Sequence, residues 1–125
     1  MSDLILIVED NEKNMKLARD LLAYHGFEIA EATNAEDGIA LARAKPPKLI
    51  LMDIQLPGMD GVTALAQLRS DPVTAAVPVV AMTASVMKED RERFEKAGFD
   101  GFIMKPIDVR AFPQQVRDHV ARGRV

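Results

Sequence analysis

A chain of 125 residues falls in the commonest size range for one domain and can bury a single core. Its net charge of −3 gives no basic surface for nucleic acid or anionic lipid, and the lack of cysteine excludes disulfides and thiolate zinc sites. Met1-Ser2-Asp3 has no basic leader and no apolar run approaches membrane-spanning length, so a cytoplasmic protein is expected, with neither nucleic acid nor membrane as partner.

In chain order, Leu4-Ile5-Leu6-Ile7-Val8 is a continuous apolar run, as expected of a strand covered on both faces of a parallel sheet. A helical pattern follows, with Asn14, Leu17, Ala18, Leu21 and His25 at three- and four-residue spacing and Gly26 as its C-terminal cap. Met15 falls beside that stripe, either partly buried or free to meet a histidine-bearing helix of a partner. Phe27 to Ala32, interrupted by Glu28 and Glu31, reads as an edge strand. A second helix covers about Ala35 to Ala44 and is stopped by Pro46-Pro47. Leu49-Ile50-Leu51-Met52 is a second buried strand, and Gly61 to Ser70 a helix with Val62, Leu65 and Leu68 inward. Val79-Val80-Ala81-Met82, a helix from Lys88 to Ala97 closed by Gly98, the short edge strand Gly101 to Met104, and a helix from Val109 to Arg122 complete the chain. On this last helix Phe112, Val116 and Val120 share a stripe, and Arg117, Arg122 and Arg124 read as cations favoured by the dipole at its C-terminus.

Five β-α alternations predict an α/β fold: a doubly wound, five-stranded parallel sheet of order 2-1-3-4-5, flavodoxin-like, with right-handed crossovers. With no linker or repeat in view, residues 1–125 are expected to form one domain without a separate output module. In such sheets ligands bind beyond the carboxyl ends of the strands, where strand order reverses. Those ends carry Glu9, Asp10, Asp53, Thr83 and Lys105.

Each of these has a plain structural alternative. The acidic pair can sit at a helix N-terminus for the dipole alone, Asp53 can cap a turn, Thr83 suits a strand and Lys105 a solvated surface. Together they are harder to dismiss, because crowded carboxylates repel unless a cation sits among them. Hard oxygen donors without Cys or His point to Mg2+, with Mn2+ a possible substitute. A carboxylate can attack phosphorus to form an aspartyl phosphate, and phosphoryl transfer needs chiefly positioning and cations against the equatorial oxygens. Magnesium on Asp10 and Asp53 with Glu9 in support, the Lys105 ammonium and the Thr83 hydroxyl would meet that need.

The segments Ile7-Val8-Glu9-Asp10-Asn11, Leu51-Met52-Asp53-Ile54-Gln55-Leu56-Pro57 with Met59-Asp60-Gly61, Met82-Thr83-Ala84 and Lys105-Pro106 resemble the response-regulator receiver domains of two-component signalling, the CheY-like family. The resemblance covers essentially the whole chain. It implies that Asp53 is the phosphoacceptor, that Asp10 and Asp53 bind magnesium with Glu9 acting partly through water, and that the Gln55 main-chain carbonyl is a further ligand. It also implies that Thr83 moves toward the phosphoryl group, that Lys105 pairs with it, and that Lys105-Pro106 is cis. Phe102 stands where the family keeps a swinging aromatic, and Gln55 and Ser85 flank the path of attacking water and set the phosphoryl lifetime. The partners implied are a histidine kinase or histidine phosphotransferase as donor, and a target protein at the face of the fourth helix, fifth strand and fifth helix. A phosphorylated adaptor and a relay intermediate are both open.

Three rivals are weaker. An FMN binder of the same architecture needs a neutral glycine-rich loop, which Glu9-Asp10-Asn11-Glu12 is not. An aspartyl-phosphate phosphatase typically has an acid two positions beyond the nucleophile, where Gln55 stands, so a signalling switch is expected rather than an enzyme. A scaffold that never takes phosphate would have no use for the acidic set.

Overall fold

A computed structural model describes residues 2–56, 58–84 and 88–124, with the side chains of residues 88–90 left aside. The elements are β1 (Leu4–Val8), α1 (Glu12–Tyr24), β2 (Glu28–Ala32), α2 (Ala35–Ala44), β3 (Leu49–Asp53), α3 (Gly61–Ser70), β4 (Val79–Thr83), α4 (Lys88–Ala97), β5 (Gly101–Met104) and α5 (Phe112–Arg122). All strands pair in parallel in the order β2-β1-β3-β4-β5, as the alternation predicts.

Period-two alternation along the strands sends successive side chains to opposite faces. Leu6, Val8, Ile50, Met52, Val79 and Ala81 face one core with Ala35, Ala42, Leu65, Leu68 and Phe94 from α2, α3 and α4. Ile5, Ile7, Leu49, Leu51, Val80 and Met82 face the other with Met15, Ala18, Leu22, Phe112 and Val116 from α1 and α5. The strands β1, β3 and β4 therefore carry apolar residues on both faces and sit centrally. The edge strand β2 exposes Glu28 and Glu31, and β5 exposes Met104.

Three helices start on side-chain caps at the carboxyl edge of the sheet. Asn11 accepts from the N–H groups of Lys13 and Asn14 at 3.0 Å each, Asn34 from Asp37 at 2.8 Å and Asp60 from Thr63 at 2.8 Å. The connections after β1 and β2 are short, so these caps lie close to the residues that follow each of those strands. After α1, Gly26 takes the positive φ of 92° that its place as a cap requires.

Two expectations are corrected. The inward stripe of α1 is Met15, Ala18 and Leu22, one position out of phase with the predicted one. Met15 is buried, whereas Leu17 is 39% exposed and His25 lies past the helix end at its C-cap. The last helix begins at Phe112 rather than Val109, because Asp108 Oδ1 accepts from the N–H groups of Arg110 and Ala111 and folds that stretch into a turn. Pro113 then fits the first turn, where no N–H is needed.

The arginines at the chain's end do more than complement a dipole. Arg122 donates to the Asp100 carbonyl, and Arg124 reaches the Asp100 carboxylate and the Ala75 carbonyl. Asp100 is buried, accepts from Arg69 Nη2 at 2.7 Å and from the Val79 N–H at 2.9 Å, and thereby ties α3, β4 and the start of β5 to the C-terminal segment.

Candidate functional site

The carboxyl ends of β1, β3, β4 and β5 open into a cleft of about 260 Å³ lined by Glu9, Asp10, Asn11, Asn14, Asp53, Ile54, Gln55, Thr83, Ala84 and Lys105. Parallel register puts Asp53 beside Met82 and Thr83 beside Met104, so the last residues of β3 and β4 reach the cleft with Lys105 one step beyond β5. The Lys105 N–H donates to the Thr83 carbonyl at 2.8 Å, which fixes the level at which the lysine leaves the sheet. The Lys105-Pro106 bond is cis.

Glu9 is 1% and Asp53 6% exposed, whereas Asp10 is exposed at the mouth. One oxygen from each of these three carboxylates lies within 4.8 Å of the other two. The Lys105 ammonium is 2.5 Å from Glu9 Oε1 and 3.0 Å from Asp53 Oδ2. Asp53 Oδ1 accepts from the Gln55 N–H at 3.0 Å, and Glu9 Oε2 from the Asn11 N–H at 3.4 Å. Each buried carboxyl thus has one oxygen toward backbone and one toward the ammonium.

Charge balance explains the electrostatics. Burial raises the Glu9 pKa, the adjoining Asp53 raises it further, and Lys105 pulls in the opposite direction. Burial also works against the Lys105 ammonium, but the adjoining carboxylates of Glu9 and Asp53 together outweigh it and leave the lysine pKa above its ordinary value. Against three acids the cleft lining supplies one cation, Lys105.

The donor set fits a hard divalent cation. Carboxylate oxygens without sulfur or imidazole suit magnesium or manganese. Glu9 Oε1 is fully buried and makes no well-angled hydrogen bond, although the ammonium is near, so its lone pairs have capacity for a further positive partner.

The fold brings together Glu9, Asp10, Asp53, Gln55, Thr83 and Lys105 of the residues singled out from the sequence. Phe102 lies elsewhere, half-buried on β5, its ring 6.2 Å from that of Phe94 and 6.0 Å from the Arg91 guanidinium carbon. Pro106 is exposed just past the cleft, while Ser85 and Pro57 lie outside the described residues. Asn14 was missed as a site residue because it was read as part of a helix stripe. Its signal was position, one turn into the helix that starts beside Asp10.

Similarity to known proteins follows the same pattern. The sequence profile described as response regulator receiver domain matches residues 5–117. The polar-differentiation response regulator DivK of Brucella anthropi is 42% identical over 116 residues, covering 93% of this chain and 94% of that protein. The chemotaxis response regulator CheY4 of Vibrio cholerae shares the fold, with a TM-score of 0.89 at 19% identity over 94% of this chain and 98% of that one. The receiver domain of a sensor histidine kinase from Pseudomonas aeruginosa, solved with magnesium coordinated in its active-site cleft, gives a TM-score of 0.88 at 26% identity over 97% and 99%.

Proposed function

The chain belongs to the response regulator receiver domain family, and from that premise we propose that Asp53 accepts a phosphoryl group from a phosphohistidine in a magnesium-dependent reaction. It is a DivK-like signalling protein rather than an enzyme of turnover, and membership of the family implies phosphotransfer from a kinase. The observation that carries the reading is the meeting of Glu9, Asp10 and Asp53 within 4.8 Å around one lysine.

In the proposed reaction a carboxylate oxygen of Asp53 attacks phosphorus in line, the P–N bond to the donor histidine breaks, and the electron pair leaves with the imidazole. The Gln55 N–H holds Asp53 Oδ1, which presents the carboxylate in a fixed orientation. Asp10 and Asp53, with the Gln55 main-chain carbonyl and Glu9, would hold magnesium, which would supply charge against the phosphoryl oxygens. Lys105, drawn between Glu9 and Asp53 in the resting cleft, moves its ammonium to the new anion, and the Thr83 hydroxyl at the end of β4 donates to another oxygen. Thr83 moving inward lets Phe102 follow, which reshapes the face of α4, β5 and α5 for a target protein. The Gln55 side chain at the cleft sets access of water and hence the phosphoryl lifetime.

The donor docks over α1, which begins at the cleft. Leu17, Leu21 and Tyr24 form a surface flanked by Lys13, Lys16 and Asp20, with Tyr24 86% exposed. A helix that presents its histidine to Asp53 can rest on this face. No described helix is long and apolar enough to cross a membrane.

The test is intact mass after incubation with a small acyl phosphate and magnesium. The wild type gains one phosphoryl group, and Asp53→Asn or omission of divalent ion abolishes the gain. A phosphoryl gain by Asp53→Asn equal to the wild type's would place the acceptor elsewhere.

A further inference from the structure

A second cleft lies between α4 and α5 over β5, at the opposite end of the strand from Lys105. Its lining is Arg91, Glu95, Phe99, Asp100, Gly101, Phe102, His119 and Arg122. Gly101 makes a notch there. A Cβ on Gly101 would strike His119 Cε1, lie 2.9 Å from His119 Nδ1 and lie 3.1 Å from Arg122 Nη2. The imidazole and the guanidinium occupy the space that any other residue would fill.

Two interactions start from that seat. Arg122 Nη2 is 3.4 Å from His119 Nδ1, a distance at which a neutral Nδ1 accepts and a protonated one cannot. The same Nη2 donates to the Asp100 carbonyl, whose side chain is already held by Arg69 and Arg124. Three guanidiniums therefore converge around one buried aspartate before His119 takes any charge.

We propose that His119, seated in the Gly101 notch, is an acid-sensitive latch: neutral, it holds Arg122 on the Asp100 carbonyl and α5 against β5, and protonated, it releases both. The groups that face it set the direction. Arg122 on α5 opposes protonation, whereas Asp118 on α5 and Asp100 before β5 favour it, with Arg91 and Glu95 of α4 lining the same cleft. Burial is the largest influence and acts with Arg122, so the neutral ring is favoured. The consequence for signalling rests on the reading of the α4–β5–α5 face given above: acidification would loosen the surface that the target meets. The latch itself does not depend on phosphorylation.

The experiment uses the unphosphorylated full chain. Backbone amide exchange of residues 116–122, corrected for intrinsic chemistry, is followed from about pH 7.5 to about pH 5.5 while NMR tracks the His119 ring. The wild type should lose about tenfold of its α5 protection as His119 protonates. His119→Gln, which cannot charge, should show no such loss. Gly101→Ala should show low α5 protection across the range, and Arg122→Gln, which removes the guanidinium beside the ring, should raise the pH at which His119 titrates. Constant protection in the wild type, an equal loss in His119→Gln, or a titration indifferent to Arg122→Gln would each overturn the latch. None of these outcomes bears on whether Asp53 takes phosphate, which the mass measurement decides separately.

Discussion

Lys105 is held where the charges of the cleft demand it. Its ammonium pairs with Glu9 and Asp53, both almost fully buried, and its own side chain is only 16% exposed. Removing one partner of a buried pair costs about 3–5 kcal/mol, because the other charge stays in low dielectric. Here Glu9 can take up a proton and the mouth of the cleft admits water, so the expected cost is lower. Lys105→Gln should lose about 2 kcal/mol of unfolding free energy in chelator, measured by urea denaturation. Millimolar magnesium should restore more than half of that loss, because the ion supplies the missing positive charge. A variant as stable as the wild type in chelator would show that the ammonium does not hold the buried acids in the resting state. The meeting of Glu9, Asp10, Asp53 and Lys105 in one cleft was legible because each is a polar residue at the end of an apolar run. Asp100 was not legible: it precedes a weak strand, and its partners Arg69 and Arg124 stand 31 and 24 residues away in sequence. No local pattern announces an ion pair closed only by the tertiary fold.

Among the elements, α1 shows why phase is harder to read than existence. Its sequence holds two overlapping apolar stripes, Leu17 with Leu21 and Met15 with Ala18 and Leu22, and either fits a 3.6-residue period. Only packing against β1, β3 and α5 selects the second, since Met15 and Leu22 fill the core there while Leu17 stays at the surface. The helix ends, by contrast, were legible from Gly26, Pro46-Pro47 and Gly98, whose backbone chemistry acts locally. The outward Leu17 has a use if the phosphodonor docks there. Leu17→Asp should slow transfer from a phosphorylated histidine protein by about tenfold or more, a loss of roughly 1.4 kcal/mol of docking energy. Transfer from a small acyl phosphate should be unchanged, because that donor needs only the cleft. Equal rates from the protein donor would move the docking face away from α1; a loss with both donors would mean that the substitution damaged the cleft.

Over the whole molecule, the sheet order was legible and so was the convergence of its carboxyl ends, because both follow from connection handedness and the burial of β1, β3 and β4. What convergence costs is a matter of energy rather than topology. Two unit charges 4.8 Å apart repel by roughly 3.5 kcal/mol at an effective dielectric near 20. Exposure of Asp10 reduces its share by screening, and Lys105 offsets part of the rest, which leaves a net burden of about 1 kcal/mol in the ion-free protein. Asp10→Asn should therefore raise the melting temperature in chelator by about 3 °C for a domain of this size. The ion reverses the order. A ligand bound only by the folded state stabilises by about 2.7 kcal/mol at a hundred times its dissociation constant, or about 8 °C. The wild type should show that rise with magnesium, and Asp10→Asn, deprived of a ligand, should show little of it. The two melting curves should thus cross as magnesium is added. A wild type that remains the less stable protein at saturating magnesium would mean that Asp10 carries its cost without holding the metal.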